Sequence, residues 1–198
     1  MTGLIILAAG GSTRLGQPKQ NLLFQNKTLL QRAIETGLNS KCRPVIIMLG
    51  ANVDVIVPII HHKAINVIYN PDWQEGIASS IRIGISEIGN DNTINNVVIM
   101  LCDQPFVSSE LIDNLFLKQR ETNKAIVACS YKETIGVPVL FNRSLFAELL
   151  LLKGHDGAKH ILKDHPQDIE MIPFDMGDID IDTMEDYERL INFGRSLP

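Results

Sequence analysis

The chain has 198 residues, of which 45% are hydrophobic and 21% charged, and its formal net charge is −5. This length predicts a single domain over 1–198, and the acidic balance, without any strongly basic run, argues against a nucleic-acid surface. No apolar stretch reaches the roughly 18 residues of a membrane span. The three cysteines form no C-x-x-C pair, which disfavours a disulfide framework and a zinc site. We therefore expect a cytoplasmic protein with no membrane partner.

The first 130 residues alternate between short apolar runs and segments with helical spacing. The run 4–8 is short and uninterrupted, as in a strand that is buried on both faces. Helical spacing follows over 29–38, then come apolar runs at 45–50 and 66–69, a helical pattern from Ser79, and the most apolar run at 97–101. This alternation predicts an α/β fold, with a mostly parallel sheet and helices on both of its faces.

The second half adds further strands and four predicted helices. Ser108 precedes a helical set that begins near Leu111, which predicts a helix start. Strands are predicted at 125–130, at 137–141 and at 170–174, the last at a sheet edge because it contains Pro173. Helices are predicted over 144–152, 157–163 and 186–193, and Thr183 is predicted to cap the last of them.

Two glycines end the first predicted strand, in the stretch LAAGGSTRLGQPK. Ligands of open α/β sheets bind beyond the carboxyl ends of the strands, and consecutive amides around glycine can hold a phosphate group. Arg14 and Lys19 add positive charge behind Gly10 and Gly11. A Walker loop is excluded because Gln17 stands where its lysine belongs, and no G-x-G-x-x-G motif is present. The loop favours a phosphate site, while a plain turn with a surface Arg and Lys explains it equally well.

Asp103 directly follows the most apolar predicted strand, at the same edge as the glycine loop. Because Mg²⁺ prefers one or two carboxylates plus phosphate oxygens, we interpret Asp103 as a metal ligand rather than as a turn residue before Pro105. As an edge carboxylate outside the core, it should contribute little to folding. A second carboxylate is expected from DIDIDTMEDY, where Asp178, Asp180 and Asp182 share one face if the segment is extended. A solvated strand face explains these three residues equally well.

The stretch NPDWQEGIASSIRIG follows the third predicted strand. Gly76 allows close backbone approach, while Ser79 and Ser80 either contact a nucleoside or cap the following helix. Trp73 is the only tryptophan, and we expect it to cover the core rather than to stack on a ligand. The histidines contain no H-E-x-x-H motif, and their spacing disfavours a metal site: His61, His62, His155, His160 and His165.

Several of these stretches together resemble a known family. LAAGGSTRLGQPK, from Leu7 to Lys19, matches the nucleotidyltransferase signature L-A-A-G-x-S-x-R-x-G-x-x-K at every fixed position. LCDQPF, NPDWQEGIASSIRIGI and DIDTMEDY resemble, in the same order, segments of the MobA-like NTP transferase family. The resemblance covers nearly the whole chain, and the L-A-A-G form is most similar to the cytidylyltransferases of molybdenum cofactor.

The resemblance implies a Rossmann-like, three-layer α/β/α fold that binds CTP or another NTP together with Mg²⁺. The implied reaction transfers CMP to a phosphorylated acceptor, molybdopterin, and releases pyrophosphate. The implied catalytic residues are Arg14, Lys19 and Asp103, and the implied metal ligands are Asp103 and Asp182. The implied nucleotide-binding residues are Leu7, Ala8, Ala9, Gly10, Gly11, Arg14, Lys19, Gly76, Ser79 and Ser80.

Two departures from the family pattern concern the acceptor. The tripeptide GVP at 136–138 stands where many cytidylyltransferases have G-H-P, and Gln20 and Asn21 stand where an apolar pair is commoner. They leave open a sugar or alditol phosphate as the acceptor. They also leave open a non-catalytic maturation factor that delivers cofactor to a molybdenum hydroxylase partner.

Overall fold

The computed structural model describes residues 1–60 and 64–196, so the interpretation of His61 and His62 lies outside the described residues. Its strands are β1 (Thr2–Ala8), β2 (Leu23–Phe24), β3 (Lys27–Thr28), β4 (Val45–Leu49), β5 (Asn66–Tyr69), β6 (Asn96–Leu101), β7 (Ile126–Tyr131), β8 (Thr134–Asn142) and β9 (Ile169–Pro173). Its α-helices are α1 (Leu29–Asn39), α2 (Val53–Ile56), α3 (Ile77–Gly89), α4 (Ser109–Thr122), α5 (Phe146–Leu149), α6 (Ala158–Asp164) and α7 (Met184–Ser196).

One sheet organises the molecule, with its strands in the order β5-β4-β1-β6-β8-β7-β9. The pairs β1–β4, β1–β6, β4–β5 and β7–β9 are parallel, whereas β8 runs antiparallel to both of its neighbours. The predicted α/β fold with a mostly parallel sheet is therefore confirmed, and β9 lies at an edge as Pro173 indicated. The reversal at β8 was not predicted, because the turn between β7 and β8 is Lys132–Glu133 and lacks the Asn or Gly that usually marks a hairpin.

Helices cover both faces of the sheet because side chains alternate along each strand. On β1, Leu4 and Ile6 pack with α1 and α4 on one face, while Ile5 and Leu7 pack with α3, α5 and α6 on the other. These two buried clusters make the three-layer α/β/α arrangement that was expected. A third cluster joins the β2–β3 region to α7, through Leu15, Leu22, Phe24, Leu29, Ile181 and Leu190.

Two segments differ from the predictions. The helix expected over 144–152 is a 3₁₀ turn, Arg143–Leu145, followed by the short α5, because the chain soon reverses through Gly154, whose φ is +54°. The segment 178–182 forms no strand. It leads into α7, where the amide of Thr183 donates to Asp186 Oδ2 at 2.8 Å and the amide of Asp186 donates to Thr183 Oγ1 at 3.2 Å, as the predicted cap requires. Within the described ranges, no helix combines the length and apolar character that a bilayer span needs.

Candidate active site at the carboxyl edge of the sheet

A cavity of about 440 Å³ opens at the carboxyl ends of the parallel strands. Because β1, β4, β5 and β6 run in the same direction, the loops that follow them meet at one edge of the sheet. The loop after β1 lines the cavity over 8–13, and the loop after β5 adds Trp73 and Gly76. Asp103 enters from the end of β6, and Asp180 and Asp182 close the cavity from the segment before α7.

A single buried side chain holds the loop after β1. Gln20 is fully buried, and its Nε2 donates to the carbonyl oxygen of Ala8 at 2.7 Å and to that of Gly10 at 3.1 Å. The carbonyl oxygen between them, on Ala9, accepts from the amide of Ala51 at 3.0 Å. Three successive carbonyl groups are therefore bonded within the protein, and this fixes the path of the backbone past the cavity.

Trp73 stands against this loop, at the cavity wall. A Cβ atom on Gly11 would lie 3.1 Å from the indole ring, and one on Gly50 would lie 2.5 Å from the Cβ of Trp73. Gly50 is therefore needed for Trp73 to approach the backbone so closely, while a side chain at Gly11 would force the indole to move by a few tenths of an ångström. Trp73 is partly exposed and lines the cavity, so the expectation that it covers the core is wrong. Its ring is available for stacking on a planar ligand.

Lys19 forms the centre of a charged cluster at the floor of the cavity. Its Nζ donates to Asp103 Oδ2, to Asp182 Oδ1 at 3.0 Å and to the carbonyl oxygen of Ile181 at 3.4 Å. Arg14 donates to the other oxygen of Asp182, Oδ2, at 2.8 Å. Burial would lower the pKa of Lys19, but the charge and hydrogen bond of Asp103, with help from Asp182, raise it above its usual value. The ammonium group therefore stays charged at any physiological pH.

The carboxylates of the cluster differ in their environments. Asp103 is buried, and its Oδ1 has no hydrogen-bond partner. Burial raises the pKa of Asp180, and the nearby charges of Asp103 and Asp182 raise it further. Burial also acts on Asp182, but hydrogen bonds and charge from Lys19 and Arg14 lower its pKa overall. This corner of the cavity thus has more negative charge than its cations neutralise, which suits an added cation.

Another part of the cavity wall is built by two loops, which contain Gly76 and Gly154 and touch each other at these glycines. A Cβ atom on Gly76, whose φ is +125°, would lie only 2.2 Å from the carbonyl oxygen of Gly154. That carbonyl accepts from the amide of Ala78 at 3.1 Å. Arg82 clamps the same contact, since its guanidinium donates to both carboxylate oxygens of Glu75, at 2.7 and 2.6 Å, and to the carbonyl of Leu152 at 2.8 Å.

A family comparison agrees with this geometry. The model of the MobA-like NTP transferase domain matches residues 4–169. The chain belongs to this family. The matched range contains the loop after β1, Lys19, the Trp73 loop and Asp103. It ends before Asp182, so the second carboxylate of the cluster lies outside the matched part.

Relatives within the MobA-like family have different names. The chain is 30% identical over 198 residues to nicotine blue oxidoreductase of Paenarthrobacter nicotinovorans, covering 94% of this chain and 95% of the relative. It is 26% identical to the purine catabolism protein PucB of Bacillus subtilis, with 93% of each covered. It is 26% identical over 88 residues to molybdenum cofactor cytidylyltransferase of Escherichia coli, covering 44% of this chain and 46% of that enzyme.

A solved structure shares the fold along nearly its whole length. Rv0371c of Mycobacterium tuberculosis, solved in complex with manganese, is 25% identical and superposes with a TM-score of 0.82, covering 96% of this chain and 98% of that one. This chain and Rv0371c therefore share one fold.

The structure brings most of the residues expected from the MobA-like motifs to one cavity. Its lining includes Leu7, Ala8, Ala9, Gly10, Gly11, Lys19, Gly76, Ser80, Asp103 and Asp182. Arg14 and Ser79 are not among the lining residues. Arg14 is an exposed side chain bound to Asp182. The Ser79 hydroxyl donates to the carbonyl of Gly76 at 2.8 Å and accepts from Asn70 Nδ2 at 2.8 Å, so it braces the start of α3.

Gln20, Trp73 and His155 line the cavity but were not predicted as site residues. Gln20 was noticed only as a departure from the family pattern, and Trp73 was assigned to the core. His155 lines the cavity from the loop that contains Gly154, although the spacing of the histidines carried no such signal. The stretch GHDG, with a glycine on each side, was the available sign of a special turn.

Proposed function

We propose that this chain is a nucleotidyltransferase that transfers CMP from CTP to the phosphate of molybdopterin and releases pyrophosphate. The observation that carries the proposal is the position of the Lys19 ammonium. It lies between Asp103 and Asp182, at the floor of a cavity that the glycine loop lines. This combination of amides, a cation and paired carboxylates suits a triphosphate and its metal ion.

In the proposed reaction, a phosphate oxygen of the acceptor attacks the α-phosphorus of CTP. The bond from the α-phosphorus to the oxygen that bridges to the β-phosphate breaks, and pyrophosphate leaves with the electron pair. The protein supplies no nucleophile. Lys19 and Arg14 contribute positive charge as negative charge develops on the phosphates, and the loop amides orient them.

The donor set near Lys19 fits Mg²⁺. Asp103 Oδ1 is a buried acceptor without a partner, and Asp182 lies across the same ammonium group. The described residues contain no group of three or more His, Cys, Asp or Glu side chains placed to hold a metal ion. Mg²⁺ needs only one or two carboxylates when phosphate oxygens complete its shell, so Asp103 and Asp182 are the proposed ligands. When bound, the ion would neutralise charge on the phosphates.

The choice of base rests on the loop after β1. Ala8 and Ala9 line the cavity floor, and the L-A-A-G form is similar to that of the cytidylyl members of the family. Trp73 adds a flat apolar surface for the base, and Ser80 adds a hydroxyl at the start of α3. These features support a pyrimidine nucleotide as the substrate.

A second candidate is a non-catalytic maturation factor for a molybdenum hydroxylase. It is favoured by the names of two relatives, nicotine blue oxidoreductase and PucB, which match over nearly their full length, because neither name describes nucleotidyl transfer. A sugar or alditol phosphate is the alternative acceptor if the chain is catalytic. The charged cluster argues for catalysis, since a carrier would not need the Lys19–Asp103–Asp182 arrangement.

The decisive experiment measures pyrophosphate release from CTP, GTP, ATP and UTP, each with and without molybdopterin. We expect release from CTP only when molybdopterin is present. Lys19→Met should reduce it by roughly two to three orders of magnitude, since it removes a charge aimed at the developing phosphate charge. Lys41→Met, at an exposed lysine just beyond the C-terminus of α1, should leave the rate unchanged and serves as the control.

Other results would redirect the proposal in definite ways. Faster release from GTP would contradict the choice of cytosine. Release with a sugar or alditol phosphate, and none with molybdopterin, would change the acceptor. Nucleotide binding without any release, across all acceptors, would favour the maturation factor.

A further inference from the structure

We propose that Gln20 is a positioning residue that holds the loop after β1 in the shape that receives the triphosphate. The proposal rests on the proposed binding of nucleotide at this loop. Gln20 makes its contacts from the 3₁₀ turn Lys19–Asn21, immediately beside the lysine of the charged cluster. The dipeptide Lys19–Gln20 would therefore supply positive charge to the site and fix the path of its backbone.

The contacts of this turn fix the loop at three points. Gln20 Nε2 reaches the carbonyl oxygens of Ala8 and Gly10 at 2.7 and 3.1 Å, and the amide of Lys19 donates to Ser12 Oγ at 3.0 Å. Gln20 has no exposed surface, so water does not compete for these bonds. Both hydrogens of one amide group are used to hold the two carbonyls.

The geometry of the peptide bond gives these contacts a functional consequence. In a trans peptide the C=O and the following N–H point in opposite directions. Anchoring the Gly10 carbonyl on Gln20 therefore turns the N–H of Gly11 away from Gln20. If the carbonyl were released, it could rotate toward the cavity, where its partial negative charge would repel a phosphate oxygen. Gln20 thus keeps the carbonyl end of this peptide dipole away from a bound phosphate and leaves the N–H end to face it.

The side-chain oxygen of Gln20 argues against a purely structural role. Gln20 Oε1 is buried and has no hydrogen-bond partner, and an unsatisfied buried acceptor disfavours folding. Methionine at this position would remove that atom but would leave the carbonyls of Ala8 and Gly10 unpaired. These two effects on stability oppose each other. The effect on the loop has one direction only, because the loop loses its anchor. A residue kept at such a cost is typical of a binding site.

The test compares Gln20→Met with Gln17→Met, the same substitution at an exposed position three residues earlier. Binding of CTP and of CMP is measured by calorimetry with Mg²⁺ present. We expect Gln20→Met to weaken CTP binding about tenfold to a hundredfold, the range for one or two lost hydrogen bonds to charged groups. CMP binding should change less than about twofold by the same reasoning, since it lacks the β- and γ-phosphates. Gln17→Met should resemble wild type in both.

Hydrogen exchange in the ligand-free protein provides an independent readout. Amides 9–13 should exchange about tenfold faster in Gln20→Met, while amides of α4 keep their wild-type rates. Gln20→Asn keeps the amide but is one methylene too short to reach both carbonyls. It should fall between wild type and Gln20→Met, and it replaces the methionine variant if that variant does not fold.

The results separate this inference from the proposed function. Equal losses of CTP and CMP affinity, or unchanged exchange at 9–13, would overturn the positioning role of Gln20. If wild-type protein binds no nucleoside triphosphate, the proposed function and the triphosphate role fall together. In that case faster exchange in Gln20→Met would still establish that Gln20 holds the loop.

Discussion

Lys19 contacts both proposed metal ligands at once, and this makes it a competitor for the cation they would bind. Its ammonium group lies between Asp103 and Asp182. The side chain of Lys19 is 16% exposed, that of Asp103 7% and that of Asp182 37%. A divalent cation at the same carboxylates experiences repulsion from this ammonium. A triphosphate that binds Lys19 would shift that charge toward the phosphates and lower the repulsion.

Lys19→Met should therefore strengthen the binding of Mn²⁺ to the ligand-free protein. At an effective dielectric constant near 20, removing one charge about 4 Å away is worth several kcal/mol, so we expect at least about a tenfold gain in affinity. Electron paramagnetic resonance of unbound Mn²⁺ measures this directly, with Lys41→Met as the control. An unchanged affinity would mean that the ion binds away from Asp103 and Asp182.

Asp103→Asn should affect both activity and stability. Turnover should fall by roughly two to four orders of magnitude, because the lost charge acts on the transition state. The premise that Asp103 is an edge carboxylate outside the core is wrong, because Asp103 is buried and bonded to Lys19, so a loss of stability is now expected. Since Lys19 keeps Asp182, the loss of unfolding free energy should be about 1–3 kcal/mol.

Thermal unfolding and pyrophosphate release together check the Asp103 prediction. Asp54→Asn, on the exposed side of α2, is the matched control and should change neither measurement. Full turnover in Asp103→Asn would place the metal elsewhere. A large loss of stability with full turnover would make Asp103 a purely structural partner of Lys19.

Arg14, Lys19 and Asp103 were predictable, because each follows an apolar run that ends at glycine or aspartate, whereas Asp182 follows no such run and was indicated as a ligand only by the family resemblance. Gln20 and Trp73 were not predictable, since a buried amide and a cavity-lining indole look like core residues in a sequence. Their roles depend on contacts to Ala8, Gly10 and Gly11, which lie close to them only after the fold forms.

At the scale of elements, the wall opposite Lys19 depends on two loops that meet without any side chain between them. The loop before α3 and the loop before α6 approach through Gly76 and Gly154, and the Glu75–Arg82 pair spans the contact. Hydrogen bonds from Arg82 and from the amide of Gly154 lower the pKa of Glu75 to about 2, so the pair stays ionised in neutral solution. These loops position Trp73, Ser80 and His155 relative to one another.

Gly76→Ala should disturb this wall severely. The φ of +125° is strained for alanine, and the new Cβ would meet the carbonyl oxygen of Gly154 at 2.2 Å. We expect a loss of about 2–4 kcal/mol in unfolding free energy and weaker CMP binding. Gly89→Ala is the control, because a Cβ there has nothing within 4 Å and the residue ends α3. It should be neutral or slightly stabilising in thermal unfolding, and equal effects of the two variants would contradict the close-contact argument.

His165 links α5 to the end of α6 and gives the stability a pH dependence. Its Nε2 lies 2.7 Å from Glu148 Oε2, and this hydrogen bond, together with the charges of Glu148 and Asp168, raises the pKa of His165 despite its burial. A raised pKa in the folded state means that this contribution is complete below the unfolded pKa of about 6.5. It is lost as the pH rises through the folded value.

Urea unfolding at pH 5.5 and pH 8.5 tests the contribution of His165. Wild type should lose unfolding free energy between these two values, and both His165→Gln and Glu148→Gln should reduce the loss. A wild-type pH dependence that survives in both variants would assign it to other groups.

At the scale of the whole molecule, the parallel half of the sheet was predictable and the antiparallel insertion was not. Strands β1, β4, β5 and β6 have uninterrupted apolar runs or follow clear helices, so their order of elements predicts parallel pairing. The reversal at β8 depends on a turn without glycine, and the β2–β3 hairpin has only two residues in each strand. The third cluster, which joins Leu15 and Phe24 to Ile181 and Leu190, depends on contacts between parts of the chain that are far apart.

The charged cluster of the candidate site also depends on a contact between distant parts of the chain, and this determines when during synthesis it can form. Lys19 and Asp182 are 163 positions apart. At roughly 5–20 residues per second, a ribosome needs about 8–30 s to travel from one codon to the other. Through that interval the growing chain carries the glycine loop and Lys19 without their second carboxylate. The complete cluster therefore forms only after the segment around Asp182 has emerged, and an unfinished chain in the cell lacks it.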